Sequence, residues 1–100
     1  MEGTLTRTLF HLVFFYIVVS QSHMPGYDSI RLVFTCNNYP PTWQAGLRAV
    51  FDNGARYLAA RPEVGASGTP HLQGMIIWDS RKPRGRTIQL FTENGLSCRS

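Results

Sequence analysis

Apolar and polar residues alternate along three stretches of the chain, as expected for half-buried β-strands. Successive strand residues point to opposite faces of a sheet, so residues 70–79 place Leu72, Ile76 and Trp78 together on one apolar face. Residues 30–37, rich in β-branched and aromatic side chains, predict another strand. Residues 55–63 predict a third, with a proline near its end.

Between the strands predicted at residues 30–37 and 55–63 the apolar spacing becomes helical. Apolar side chains recur at i, i+4, i+7 and i+8, which predicts a helix packed on the sheet through Trp43, Leu47, Val50 and Phe51. Thr42 is expected to cap this helix at its N-terminus. The turn residues at 52–54 are expected to end it.

Residues 87–93 predict a short second helix with Ile88 and Phe91 turned inward, and residues 96–100 could begin a further strand that the chain does not finish. Alternating strands that can pair as hairpins, with helices between them, indicate an α+β fold. We therefore expect an antiparallel β-sheet with helices packed on one face, incomplete at its C-terminus.

Residues 1–23 differ in pattern from the rest of the chain. Arg7 precedes an almost unbroken apolar run that ends before Ser20, which is the form of a secretory signal. The run is too short to span a bilayer comfortably, so a membrane anchor is the weaker interpretation, and a buried strand or helix is also possible. We interpret residues 1–23 as an extension or upstream sequence outside the working domain of residues 24–100, and expect a chain that starts at Met24 to fold.

The chain carries a basic excess, with a net charge of +4 and 43% hydrophobic residues. The length and composition indicate one globular domain. The basic excess favours nucleic acid or an anionic membrane as a partner without choosing between them, and on charge alone a solvated basic protein without such a partner is an equal alternative. Two cysteines make neither a disulfide framework nor a zinc pattern. We expect Cys36 to be a small buried thiol and assign neither it nor Cys98 a role.

The polar face of the strand predicted at residues 70–79 begins with two potential metal ligands, His71 and Gln73. Glu63 lies eight residues upstream, and the glycines and proline between them predict a hairpin that sets Glu63 across from His71. A carboxylate, an imidazole and an amide oxygen suit Mg²⁺ or Mn²⁺ better than structural zinc.

Three short segments resemble the replication initiator (Rep) of circoviruses and other circular single-stranded DNA viruses. They read Phe-Thr-Cys-Asn-Asn-Tyr at 34–39, Glu-Val-Gly at 63–65 and Gly-Thr-Pro-His-Leu-Gln-Gly at 68–74. These initiators are rolling-circle endonucleases of the HUH class, and the likeness covers about residues 30–91. It implies an HUH/RRM-like fold and metal-dependent nicking and joining of DNA.

The resemblance also implies roles for particular residues. Glu63, His71 and Gln73 would hold the divalent cation. The residues expected to contact DNA are Asn37, Asn38, Arg81, Lys82, Arg84 and Arg86, the last four as phosphate contacts. The implied partner is single-stranded or origin hairpin DNA, with homo-oligomers possible in the full-length family proteins, and the implied location is the nucleus.

The nucleophile of this family has no counterpart in the sequence. These enzymes cut DNA with a tyrosine in a Tyr-x-x-Lys motif on a later helix, and no such motif occurs here. We therefore expect a truncated copy that binds metal and DNA but does not nick.

Two alternatives remain open at this point. A catalytically inactive nucleic-acid-binding remnant of the same fold would bind oligonucleotides without metal. A small secreted or membrane-associated protein would make the apolar start a genuine signal, cleaved after Ser20.

Overall fold

The computed structural model describes residues 6–11, 16–20 and 30–100. In these ranges six strands form one sheet in the order β1-β2-β4-β5-β3-β6, and every neighbouring pair is antiparallel. The elements are β1 (Thr6–His11), β2 (Tyr16–Ser20), β3 (Ile30–Asn37), α1 (Trp43–Phe51), β4 (Ala55–Val64), β5 (Pro70–Trp78), α2 (Arg84–Glu93) and β6 (Cys98–Arg99).

One face of the sheet carries both helices and the core. Fully buried side chains from the central strands, such as Phe34, Leu58 and Ile76, join Leu47 of α1 and Phe91 of α2 in a single apolar cluster. The expected α+β fold with helices on one face is therefore confirmed. The other face of the sheet is left for polar and half-buried residues.

The first helix occupies the predicted range, with Leu47, Val50 and Phe51 buried. Thr42 stands at the predicted N-cap position, but its side chain makes no capping hydrogen bond. The second helix begins at Arg84 and not at Thr87 as predicted. Its first three residues were expected in a loop because they are charged or glycine, but an exposed helical turn accommodates them as well.

The cysteine prediction was also wrong, because Cys36 and Cys98 form a disulfide. They lie 62 positions apart in sequence, and they meet only because β6 pairs with β3 in a register that sets Cys36 opposite Cys98. Sequence spacing gave no sign of this pairing.

Two strands come from the segment that we interpreted as lying outside the domain. β2 pairs with β4, and the side chains of Tyr16 and Val18 are buried in the core. Whether residues 24–100 fold without them stays a prediction, and such a chain would lack these core contacts. The remainder of the signal-like segment, residues 1–5, 12–15 and 21–23, lies outside the described residues, as do residues 24–29. Neither described helix has the length and hydropathy to span a bilayer.

Candidate metal and nucleic-acid site

A tight hairpin brings Glu63 to His71, as the sequence predicted. β4 and β5 pair from Val64↔Pro70 onward, and the register places Glu63 directly across from His71. Between the strands the loop closes through a hydrogen bond from Gly68 N–H to the Gly65 carbonyl, 2.8 Å long. Gly68 has φ +86°, a left-handed conformation that glycine adopts at little cost.

The imidazole and the carboxylate face each other at hydrogen-bonding distance. His71 Nε2 lies 3.3 Å from Glu63 Oε1, and both side chains are partly accessible, at 18% and 32%. The other ring nitrogen, His71 Nδ1, lies 3.4 Å from the carbonyl oxygen of Thr69. The ring is therefore held by a partner on each side.

These two contacts correspond to the two tautomers of the neutral imidazole. With the proton on Nε2, His71 donates to Glu63. With the proton on Nδ1, the ring donates to the Thr69 carbonyl, and Nε2 and Glu63 Oε1 both offer lone pairs to the space between them. A carbonyl that fixes the tautomer in this way is the usual support of a metal-binding histidine.

Gln73 follows His71 on the same face of β5, one pleat along the strand. Its Oε1 accepts a hydrogen bond of 3.0 Å from the Thr35 hydroxyl. A carbonyl oxygen has two lone pairs, so this bond leaves one for a further partner. Thr35, opposite Gln73 on β3, is a positioning residue that the sequence pattern did not single out.

Arg61 binds the remaining oxygen of Glu63. Its Nη2 lies 2.8 Å and its Nε 3.0 Å from Glu63 Oε2. Hydrogen bonds from Arg61 and then His71 hold the pKa of the Glu63 carboxyl below its usual value, against a small opposing effect of burial. Glu63 is thus an anion with Oε2 engaged and Oε1 turned towards His71.

Carboxylate, imidazole and amide-oxygen donors are of the kind that a hard divalent cation accepts, and they do not make a closed zinc site. Within the described residues no group of three or more His, Cys, Asp and Glu side chains is placed to hold a metal. Glu63, His71 and Gln73 supply one carboxylate, one imidazole and one amide oxygen, and Mg²⁺ usually keeps several waters beside so few protein ligands. Two neighbouring ligands of an octahedral ion lie about 3 Å apart, close to the 3.3 Å between Nε2 and Oε1.

The predicted DNA-contacting asparagines take different places. Asn37 lies opposite His71 on β3, on the same open face as the candidate metal ligands. Asn38 leaves the strand with φ +52°, a left-handed turn conformation for which asparagine is suited. Its backbone N–H donates to the Pro70 carbonyl at 3.0 Å, so Asn38 builds the turn beside the site.

The predicted phosphate contacts do not lie beside Glu63 and His71. Arg81 and Lys82 follow the far end of β5, seven or more strand residues beyond His71, which corresponds to about 23 Å. Arg84 and Arg86 lie in the first turn of α2, and Arg86 is joined to Glu93 at 3.5 Å. Proximity in sequence suggested one basic metal site, but the strand carries the cations to the opposite end of the sheet.

A shallow apolar groove of about 370 Å³ adjoins the site on the open face. Val33, Ala59, Gly74 and Met75 line it, with Arg61 and Gln73 at the end nearest the candidate metal ligands. Tyr57 lies on the same face but six residues from Glu63 along β4, about 20 Å away. The other two described tyrosines, Tyr16 and Tyr39, pack against Trp43.

Comparison with protein-family models, with curated proteins and with solved structures finds no match.

Proposed function

We propose that this chain contains the metal-binding and DNA-binding parts of a rolling-circle replication initiator endonuclease domain. The observation that carries the proposal is the pairing of Glu63 Oε1 with His71 Nε2 at 3.3 Å on the accessible face of the sheet. Gln73, on the same face, would add an amide oxygen to a donor set suited to Mg²⁺ or Mn²⁺. The resemblance of residues 34–39, 63–65 and 68–74 to the Rep family gives the pair this particular function.

Each residue of the site has a distinct task in this proposal. Glu63, His71 and Gln73 would hold the cation, while Thr35 and the Thr69 carbonyl fix the orientation of two of these ligands. A divalent cation there would polarise a phosphodiester and stabilise charge that develops on its oxygens. Asn37, facing the same space, has donors and an acceptor that can reach a nucleotide.

The proposal assigns binding of metal and DNA to this sequence, and no nicking. Strand cleavage in this family needs the tyrosine of a Tyr-x-x-Lys motif, which the printed sequence lacks. Single-stranded or origin hairpin DNA is the proposed partner. The nucleus is the location that the resemblance implies. The disulfide argues against it, because thiols in the nucleus are kept reduced.

The direct test is to measure Mn²⁺ binding by the full chain with calorimetry. We expect Glu63→Ala and His71→Ala each to weaken binding by at least about tenfold, since each removes one of few ligands. Arg48→Ala serves as the control, because it removes a charge from α1 that, among the described residues, pairs with Asp52. Mn²⁺ binding that is the same in Glu63→Ala, Arg48→Ala and wild type would exclude the proposed metal site.

A catalytically inactive nucleic-acid-binding module is the second candidate, and one contact favours it. Arg61 neutralises Glu63 through two hydrogen bonds to Oε2, so the site can be electrostatically complete without a metal. Oligonucleotide binding that is the same in Mn²⁺ and in a chelator would favour this second function. Binding that increases with Mn²⁺ in wild type, but not in His71→Ala, would favour the first.

A further inference from the structure

A second cavity, of about 400 Å³, lies at the far end of β5 from His71 and is lined mainly by cations. Arg31 lines it from β3, Arg81 and Lys82 line it from the segment between β5 and α2, and Arg84 lines it from the start of α2. The strand register places Arg31 opposite Ile77 and Asn37 opposite His71, so about 20 Å of strand separates this cavity from the candidate metal site.

Among the described residues, the cations of this cavity take no part in the ion pairs that hold three other arginines. Ion pairs join Arg48 to Asp52, Arg61 to Glu63 and Arg86 to Glu93. Within the described ranges no ion pair involves a cation of this cavity, and no acidic residue is part of its lining.

Four like charges around one cavity repel one another. A sphere of this volume is about 9 Å across, close to the Debye length of about 8 Å at physiological ionic strength. Salt therefore screens the four charges only in part, and the cavity has a positive potential that an anion would relieve.

The inner wall of the cavity is rigid. Trp78 is fully buried, and its indole Nε1 donates a 2.8 Å hydrogen bond to the hydroxyl of Thr87, which lines the cavity. Lys82 Nζ lies over the same indole ring, 4.5 Å from its centroid, a cation–π contact that restrains the side chain. Because the wall is ordered in advance, less conformational entropy is lost when a ligand binds.

We propose that this cationic cavity is a binding site for a phosphate-bearing ligand. Guanidinium groups donate paired hydrogen bonds to phosphate oxygens, and three of the four cations are arginines. Leu32 and Pro83 add an apolar wall, which suits the sugar or base next to a nucleotide phosphate. The ligand is either a free nucleotide or one backbone phosphate of a nucleic acid strand. The site goes beyond the proposed metal-dependent function and does not rest on it.

The test uses the full chain and follows the indole N–H signal of Trp78 by nuclear magnetic resonance. The chain has two tryptophans, so a Trp43→Phe variant assigns the signal. Pyrophosphate, as a small phosphate probe, should shift it with saturation, and Arg31→Gln should weaken the affinity by about tenfold. Arg48→Gln makes the same change of charge on α1 and should leave the affinity within about twofold.

The arms of the experiment separate the two sources of phosphate. A short oligothymidylate that competes with pyrophosphate for the Trp78 shift identifies a nucleic acid backbone, and Arg81→Gln should then reduce the salt slope by about one. A shift with pyrophosphate alone indicates a free phosphate-bearing ligand, and a stronger affinity for a nucleoside diphosphate than for pyrophosphate then identifies a nucleotide. No saturable shift with either probe, or equal losses in Arg31→Gln and Arg48→Gln, would overturn the inference.

Two variants keep the outcome interpretable. Arg81 is exposed, so Arg81→Gln provides the test if Arg31→Gln does not fold. Glu63→Ala should leave the pyrophosphate titration unchanged, so a failure of the metal site is distinguishable from a failure of this cavity.

Discussion

At the Pro70 end of β5 a carboxylate faces an imidazole and a guanidinium, whereas at the Trp78 end four cations surround one cavity. At the first end the charges are paired across and along the strands, because the register of a regular hairpin sets Glu63 opposite His71. At the second end the cations come from a strand, a connecting segment and the start of a helix.

The difference indicates two kinds of ligand. A site with one anion held between two donors can accept a cation at its remaining lone pairs, whereas a cavity of unpaired cations attracts an anion. The two ends are also held differently. A disulfide from Cys36, next to Asn37, lies at the first end, and the hydrogen bond from Trp78 to Thr87 lies at the second.

The largest expected effect comes from removing the covalent link. The disulfide closes a loop across 62 positions, and its loss in Cys98→Ser should lower the free energy of unfolding by roughly 2–4 kcal/mol. Urea denaturation measures this change. Wild type in a reducing agent should match Cys98→Ser. If reduction leaves wild-type stability unchanged, the link does not stabilise this end of the sheet.

A smaller loss is expected at the other end from Thr87→Val. This substitution keeps the shape of a buried side chain but leaves the Trp78 indole N–H without its acceptor, at a cost of about 1–3 kcal/mol. Thr92→Val is the matched control on the same helix, because the Thr92 hydroxyl is exposed and donates to the Ile88 carbonyl of its own helix. Equal stability of the two variants in urea would contradict the proposed role of this hydrogen bond.

The smallest effect is a dependence on pH that belongs to the first end alone. The pKa of Glu63 is lowered in the folded state from its usual 4.5 by hydrogen bonds from Arg61 and His71. Its ionised form therefore stabilises the fold above pH 4.5, and this contribution is lost as the pH falls through the lowered folded value.

Urea denaturation at pH 6 and at pH 3 tests the dependence. The stability advantage of wild type over Glu63→Gln should shrink at the lower pH. Arg31→Gln, in the cavity that no carboxylate lines, should keep the wild-type dependence. A constant difference between wild type and Glu63→Gln across this range would show that ionisation of Glu63 does not stabilise the fold.

Local pattern was enough to predict the elements that obey a simple period. The alternation in residues 70–78 predicted which side chains of β5 are buried, and the i, i+4, i+7 spacing predicted α1. The glycine-containing turn before Pro70 predicted the hairpin, and with it the contact of Glu63 with His71. Each of these depends on neighbours within about ten residues.

Contacts between distant segments were not predictable in this way. The Cys36–Cys98 bond, the support of Gln73 by Thr35 and the position of Arg31 beside Lys82 all require the order of strands in the sheet. The start of α2 was missed because its first turn is exposed and has no apolar period to mark it.

The sequence by itself determined the periods, the turns and therefore the pair of Glu63 and His71, since a hairpin is a local structure. Only the tertiary structure decided that the basic segment belongs to the other end of the molecule. A strand extends about 3.3 Å per residue, so a segment that follows the end of β5 lies at the opposite end of the sheet from His71. Only the pairing of β3 with β5 brings Arg31 next to this basic segment.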